Sequence, residues 1–268
     1  VKSIQNDDVD TFQSIVIDNS IDLSKCMKLT IFEGIQDEIT FIDYSAFCGS
    51  VKCFKYLFLE KVPITETTFT YAVQGGNSEI IRILEQKEGY TNNRACADFM
   101  ESAIVYHRND IFDWLLENSN DIKFYNNLFI TAIENGNGHA ISKVYENVKL
   151  KDIYQRSLIT MIADACKNGF YKIVHFLSNW ISFENFFDPL KRSFDEQYFG
   201  NEYIYTYIIN GAASSGSLKI FEFILENMKE KYSVVLRDAV IEATKIGSIE
   251  IVKYILEDKA YQLSEASF

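Results

Sequence analysis

The chain has 268 residues and a formal charge of −12, from 26 Lys and Arg against 38 Asp and Glu. That balance excludes a phosphate-backbone binder, whose affinity comes from cations that release counterions. A hydrophobic share of 47% excludes a disordered acidic tail.

Residues 1–40 read as N-terminal capping helices. Asp7 to Val16 has Val9, Phe12 and Ile15 on one side, as in a degenerate second helix of a pair. The start has no signal-peptide core. It also has no initiator methionine, which leaves room for an upstream segment. From residue 41 a phrase recurs around seven anchors: Gly49, Gly76, His107, Gly136, Gly169, Gly216 and Gly247, spaced by 27, 31, 29, 33, 47 and 31 residues. Seven before each anchor stands a large apolar residue: Ile42, Phe69, Met100, Phe129, Ile162, Ile209 and Val240. Four before stands a small one: Ser45, Ala72, Ala103, Ala132, Ala165, Ala212 and Ala243. Apolar pairs follow at four and eight after: Cys53/Leu57, Ile80/Leu84, Ile111/Leu115, Ala140/Val144, Ile173/Leu177, Ile220/Ile224 and Ile251/Ile255.

The physics of this phrase is a helix, a tight turn and a second helix. The apolar and small residues share one face of the first helix. The anchor glycine ends it in the left-handed conformation. Ser50, Asn77, Asn137, Ser217 and Ser248 stand next, where a side chain can cap the second helix. One such unit cannot bury its stripe alone, whereas stacked units can. The 41–180 stretch holds the repeats. The wide spacing before Gly216 marks an insertion at 181–206, rich in Phe and Tyr, and 207–268 holds further repeats and a C-terminal cap. With only two prolines, Pro63 and Pro189, few helices are interrupted.

Ala243 to Leu256 (Ala-Thr-Lys-Ile-Gly-Ser-Ile-Glu-Ile-Val-Lys-Tyr-Ile-Leu) aligns without a gap to the A-A-x-x-G-H-L-E-V-V-K-L-L-L phrase of the ankyrin repeat, and the chain resembles that family over roughly residues 40–260. Tyr44 to Leu57 and Ala103 to Leu115 resemble a divergent, protist-expanded ankyrin branch labelled a domain of unknown function. The T-P-L-H and G-A-D-V-N signals of the family are absent. The resemblance implies an all-α, ankyrin-like helix-turn-helix solenoid with short or degenerate hairpin loops. A TPR-like array would need a 34-residue period.

No chemistry stands out. His107, His139 and His175 fall in different repeats at different offsets, and the acid pairs sit near helix ends. Gly136-Asn137-Gly138 lacks the rest of a phosphate loop. Cys48, Cys53 and Cys166 read as small helical side chains. The expectation is no catalytic, metal or cofactor site. The five cysteines are odd in number, without C-x-x-C spacing, and no N-x-[ST] sequon occurs, which points to a reducing, cytoplasmic address. No apolar run approaches the roughly 18–20 residues of a membrane span.

The ankyrin resemblance implies a protein partner on the concave face, built by the turns and by the positions two and one before each anchor. Those positions supply Phe47, Gln74, Val105, Tyr106, Glu134, Asn135 and Lys167, with Gly75 beside Gln74. Phe47, Val105 and Tyr106 are apolar where solvent is expected, as in an aromatic anchor. Residues 1–134 carry 11 basic and 21 acidic side chains, net −10, and residues 135–268 carry 15 and 17, net −2. A basic partner would meet the first half. The expected role is a non-catalytic scaffold. The alternatives are a substrate-recruiting or regulatory module of a larger protein, and an enzyme with a cryptic site between repeats.

Overall fold

Apolar side chains at helical spacing, punctuated by residues that tolerate a left-handed backbone, produce short helices in pairs. The computed structural model describes residues 1–28, 38–86, 93–119, 124–148, 155–181, 201–227 and 233–257. Helices α1 (Lys2–Gln5) and α2 (Val9–Asp18) come first. Among the described residues seven pairs then follow in chain order: α3 (Phe41–Phe47) with α4 (Val51–Leu59), α5 (Glu66–Gly75) with α6 (Ser78–Glu85), and α7 (Asn93–Val105) with α8 (Asn109–Asn118). Next are α9 (Tyr125–Glu134) with α10 (Gly138–Val144), α11 (Gln155–Lys167) with α12 (Tyr171–Ile181), α13 (Asn201–Ser214) with α14 (Leu218–Asn227), and α15 (Ser233–Lys245) with α16 (Ile249–Glu257). No helix among the described residues is long and apolar enough to cross a membrane.

Residues 1–40 depart from the expected run of capping helices. After α2, strands β1 (Cys26–Lys28) and β2 (Glu38–Thr40) pair antiparallel, with Cys26 opposite Thr40 and Lys28 opposite Glu38. Ile39 points into the core while Glu38 faces solvent, the period-2 alternation of a strand. Thr40 then caps α3, its hydroxyl accepting the Asp43 N–H at 3.1 Å. Of the expected 181–206 insertion, residues 182–200 lie outside the described residues, and 201–206 already belong to α13.

The chain divides into two units, residues 1–128 and 129–268. In the first, α3 packs on α5 and α5 on α7, while α2 packs on α4 and α4 on α6. In the second, α11 packs on α13 and α13 on α15, and α14 packs on α16. The residues four and eight after each anchor are all buried, as are those seven and four before, save Val240. Val240 is half-buried.

All seven anchors have positive φ, from 53° at His107 to 76° at Gly169. Asp7 joins them at 51°, so α1 and α2 form a pair around an eighth such turn. The small residue four before the anchor does more than make room. Its carbonyl accepts the N–H of the residue just after the anchor: Ser50 to Ser45, Arg108 to Ala103, Asn137 to Ala132, Phe170 to Ala165 and Ser248 to Ala243, at 2.8–2.9 Å. This is the 6→1 bond of a Schellman closure. The same bond joins Asp8 to Ser3 at 2.9 Å.

The caps differ from expectation by residue type. Asn77 Oδ1 accepts the N–H groups of Glu79 and Ile80 at 3.0 and 3.3 Å, and Asn137 Oδ1 that of Ala140 at 3.0 Å. Ser50 does not cap α4; its hydroxyl donates to Ile4 O. Asp7 reaches over instead, and Oδ1 accepts Lys52 N–H at 2.8 Å and Cys53 N–H at 3.0 Å. Ser248 likewise donates back to Gly216 O. Cys48 follows α3 as its C-cap residue rather than standing inside the helix.

His107 is the one anchor with a side chain on this backbone among the seven. Relief of left-handed strain, about 1–2 kcal/mol for an L-residue, exceeds the added unfolded-state freedom of glycine, about 0.5–1 kcal/mol. His107→Gly is therefore expected to raise stability by up to about 1 kcal/mol. A shift of the urea midpoint to higher concentration would register it, and a shift the other way would mean the imidazole contributes more than its backbone costs.

Candidate functional site

The outward positions of the first helices carry the candidate surface, and its chemistry differs between the units. In the first unit, Phe47 ends α3, and its ring meets Tyr71 of α5 edge to face at 6.1 Å and 86°. It meets Tyr106, just past α7, at 6.4 Å and 87°. Phe47 and Tyr71 are half-buried and Tyr106 is 38% exposed, so the three rings form a partly open cluster. Val105 beside it is 42% exposed. Sequence reasoning named Phe47, Val105 and Tyr106, and the structure brings Phe47 and Tyr106 together. It missed Tyr71, which lies five before its anchor and therefore on the same helical side as Gln74, three residues on.

Gly75 is a correction. Read from sequence as an outward turn position, it lies where α5 crosses the end of α3. A β-carbon there would stand 2.7 Å from Phe47 O and closer still to Ala46 O. That crossing lets Tyr71 reach Phe47. Gln74 is half-buried, and its carbonyl accepts Arg108 Nε–H at 2.9 Å. The Arg108 side chain thereby covers the turn at Gly76.

Below the cluster lies Asp43, 7% exposed. Thr68 Oγ1 donates to its Oδ1 at 2.5 Å and accepts Thr65 N–H at 3.1 Å. Burial pushes the Asp43 carboxyl above its ordinary value, against the pull of its Thr68 and Thr40 hydrogen bonds. Burial raises the Tyr71 hydroxyl too, with Asp43 and Tyr106 adding to it. On α7, burial and then Asp98 raise Glu101.

In the second unit the matching positions are mostly polar, with Ile246, 49% exposed, the exception. Glu134 is exposed, yet loss of water and then Asp164 raise its carboxyl. Its backbone oxygen accepts Asn168 Nδ2–H at 3.4 Å. Asn135 Nδ2 donates to Thr131 O at 2.9 Å. Lys167 is exposed; its charge pulls down Asp164, whose carboxyl burial raises, and also Glu242. Glu242 pairs with Lys245 at 2.6 Å and accepts from Ser214 at 3.3 Å. Its carboxyl sits below the usual range, first through the Lys245 bond.

The two buried thiols, Cys53 and Cys166, are poor nucleophiles. Burial, then Asp7, pushes Cys53 up to about 12, and burial raises Cys166 above its ordinary value. Among the described residues no group of three His, Cys, Asp or Glu could hold a metal ion.

Residues 59–141 match the family described as a domain of unknown function, DUF3447. The match starts at the last residue of α4 and ends within α10, so it includes Tyr71, Gln74, Val105, Tyr106, Glu134 and Asn135 but not Phe47 or Lys167. No curated protein matches the chain.

Proposed function

We propose that the chain is an ankyrin-like repeat array that acts as a non-catalytic scaffold, holding a protein partner against the turns and the outward positions of its first helices. The array reading is supported by the seven positive-φ anchors and by first helices packed side by side within each unit. The ungapped likeness of Ala243–Leu256 to the ankyrin phrase adds to it. The binding reading rests on one observation above all: Phe47, Tyr71 and Tyr106 form a partly exposed ring cluster on the outward side of the first helices. Aromatic side chains that stay partly wet at a fixed geometry are what interfaces use as anchors.

The test is affinity capture from the source cell with wild type and with the Phe47→Ala/Tyr106→Ala double variant. A partner held on this cluster is expected to lose about 2 kcal/mol or more of affinity, roughly thirtyfold, while the circular dichroism of the chain is unchanged. Equal recovery by both proteins would overturn the placement of the partner.

A further inference from the structure

We infer that residues 258–268 fold back over the outer side of α15 and α16, with Ser264 capping an eighth first helix and the Phe268 ring seated on Ile241 and Val252. This rests on the repeat reading of the helices and not on the partner-binding surface.

The first argument is which side chains a pair turns toward the pair after it. A β-carbon on Gly75 of α5 would meet the carbonyl of Ala46, three before its anchor on α3. One on Gly211 of α13 would meet that of Ala163, six before its anchor on α11. Among the second helices, Phe221 of α14, five after its anchor, meets Tyr254 of α16 edge to face at 6.1 Å. The residue three before the anchor is buried in the first six pairs, and so is the residue five after it. In the seventh pair these are Thr244, exposed, and Val252, half-buried. Ile241, six before Gly247, is 50% exposed. Leu256 is 47% exposed at the place where α14 buries Leu225. Among the described residues no helix follows α16. The seventh pair therefore leaves open, on its outer side, the positions that the earlier pairs bury.

The second argument is the sequence of the segment that leaves this side. Residues 258–268, on which the expected C-terminal cap falls, lie outside the described residues. Glu265 stands as far beyond Glu257, the end of α16, as Asn93, the start of α7, stands beyond Glu85, the end of α6. Ser264-Glu265-Ala266-Ser267-Phe268 has the pattern of Thr65-Glu66-Thr67-Thr68-Phe69, which opens α5. There Thr65 and Thr68 form the capping box, and Ser264 and Ser267 supply the same hydroxyls at the same spacing. Phe69 is buried and lies 20 residues after Gly49; Phe268 lies 21 after Gly247. Thr68 bonds Asp43, six before Gly49, which is the place that Ile241 holds before Gly247. The same pattern on the seventh pair brings Phe268 to Ile241. A tethered segment also meets the surface at high effective concentration, which favours it over a second copy of the chain.

The experiment follows methyl and ring protons of the full chain by NMR, with Ile, Val and Phe labelled. The expected result is a nuclear Overhauser contact from the Phe268 ring to the Ile241 or Val252 methyls, unchanged on dilution. Phe268→Ala should abolish it and speed amide exchange in α15 and α16 at least about tenfold, while α11 keeps its rate. Ser264→Ala, which removes no apolar group, should weaken the same contact through the lost cap. Absence of the contact in the wild-type chain would overturn the inference, as would exchange that Phe268→Ala leaves unchanged. A contact that fades on dilution would overturn it too and assign the surface to a second copy. Failure of the repeat reading has a different signature. Ile246 Cδ1 stands 3.2 Å from where a β-carbon on Gly216 would lie, so its methyl should contact the Gly216 α-protons. Loss of that contact in the wild-type chain removes the stacking of the pairs themselves. Its presence beside a silent Phe268 removes the docked segment alone.

Discussion

Gly211→Ala is expected to destabilise the second unit by about 2 kcal/mol, and Gly75→Ala to do the same to the first. Neither glycine is an anchor, and neither has an unusual φ. Each lies within a first helix or at its end, where alanine is ordinarily the better residue by about 0.5–1 kcal/mol. The sign reverses because of what stands opposite. A β-carbon on Gly211 would sit 2.6 Å from Ala163 O and 3.1 Å from its Cα, and one on Gly75 would meet two carbonyls of α3. Backbone cannot swing aside as a side-chain tip can, so the helices must separate. Separation opens gaps beside Ile208, Ile209, Ala212, Ala165 and Cys166, all fully buried. Overpacking of this kind costs about 1–3 kcal/mol. Gly138→Ala is the internal control: nothing lies within 4 Å of its added carbon, and it sits in the first turn of α10. Urea midpoints of the three variants should place Gly138→Ala at or above wild type and the other two well below. Equal midpoints for all three would mean that the close approaches at α3–α5 and α11–α13 do not exist in solution.

The same two glycines mark where reading the sequence stops. The apolar and small positions around each anchor were legible because helical periodicity is a local property, and burial follows it almost residue for residue, with half-buried Val240 the exception. The left-handed turns were legible for the same reason, His107 included. A close helix crossing is a distance between two distant segments, and a glycine one before its anchor looks alike whether it faces water or a carbonyl. That is why Gly75 was placed on the surface. Arg108 was opaque for a related reason: a long side chain reaches back 34 residues to the Gln74 carbonyl. The strand pair was missed because three residues are too few for alternation to stand out. The candidate site was half legible. Phe47 and Tyr106 announced themselves as apolar side chains at polar positions, but their meeting with Tyr71 depends on the α3–α5 crossing.

Chain position also explains why caps split by residue type. The asparagine carboxamide carries an acceptor and a donor at once, so Asn77 caps α6 with Oδ1 and donates to Gly49 O with Nδ2 at 3.2 Å. One side chain thus fixes its own helix and the preceding turn. A serine hydroxyl is shorter and has a single proton. At Ser50 and Ser248 that proton goes backward, to the preceding pair, and at α4 the capping falls to Asp7. The turns are therefore tied to one another by side chains as well as by packing.

The second large effect is expected at Thr68, which supports the surface from beneath. Thr68→Val should lower stability of the first unit by about 2–4 kcal/mol at neutral pH. The hydroxyl accepts Thr65 N–H in the capping box of α5 and donates to Asp43. Loss of the cap costs about 1 kcal/mol, and a buried carboxylate left without its donor about 1–3 kcal/mol. The pH dependence identifies the second part. Asp43 is raised in the folded state, so the fold binds its proton more tightly than the unfolded chain does. Its contribution is fully present below the ordinary aspartate value of 3.8 and is lost as pH rises through the raised one. Removing the Thr68 donor raises it further, so the deficit of Thr68→Val should be larger at pH 7 than at pH 4. Thr68→Ser keeps the hydroxyl and should lose under about 1 kcal/mol. Asp43→Asn keeps an acceptor but does not titrate; in that background Thr68→Val should cost less, and equally at both pH values, a coupling read by a double-mutant cycle. A deficit that is the same at pH 4 and pH 7 in the wild-type background would clear Asp43 and leave the cap alone responsible.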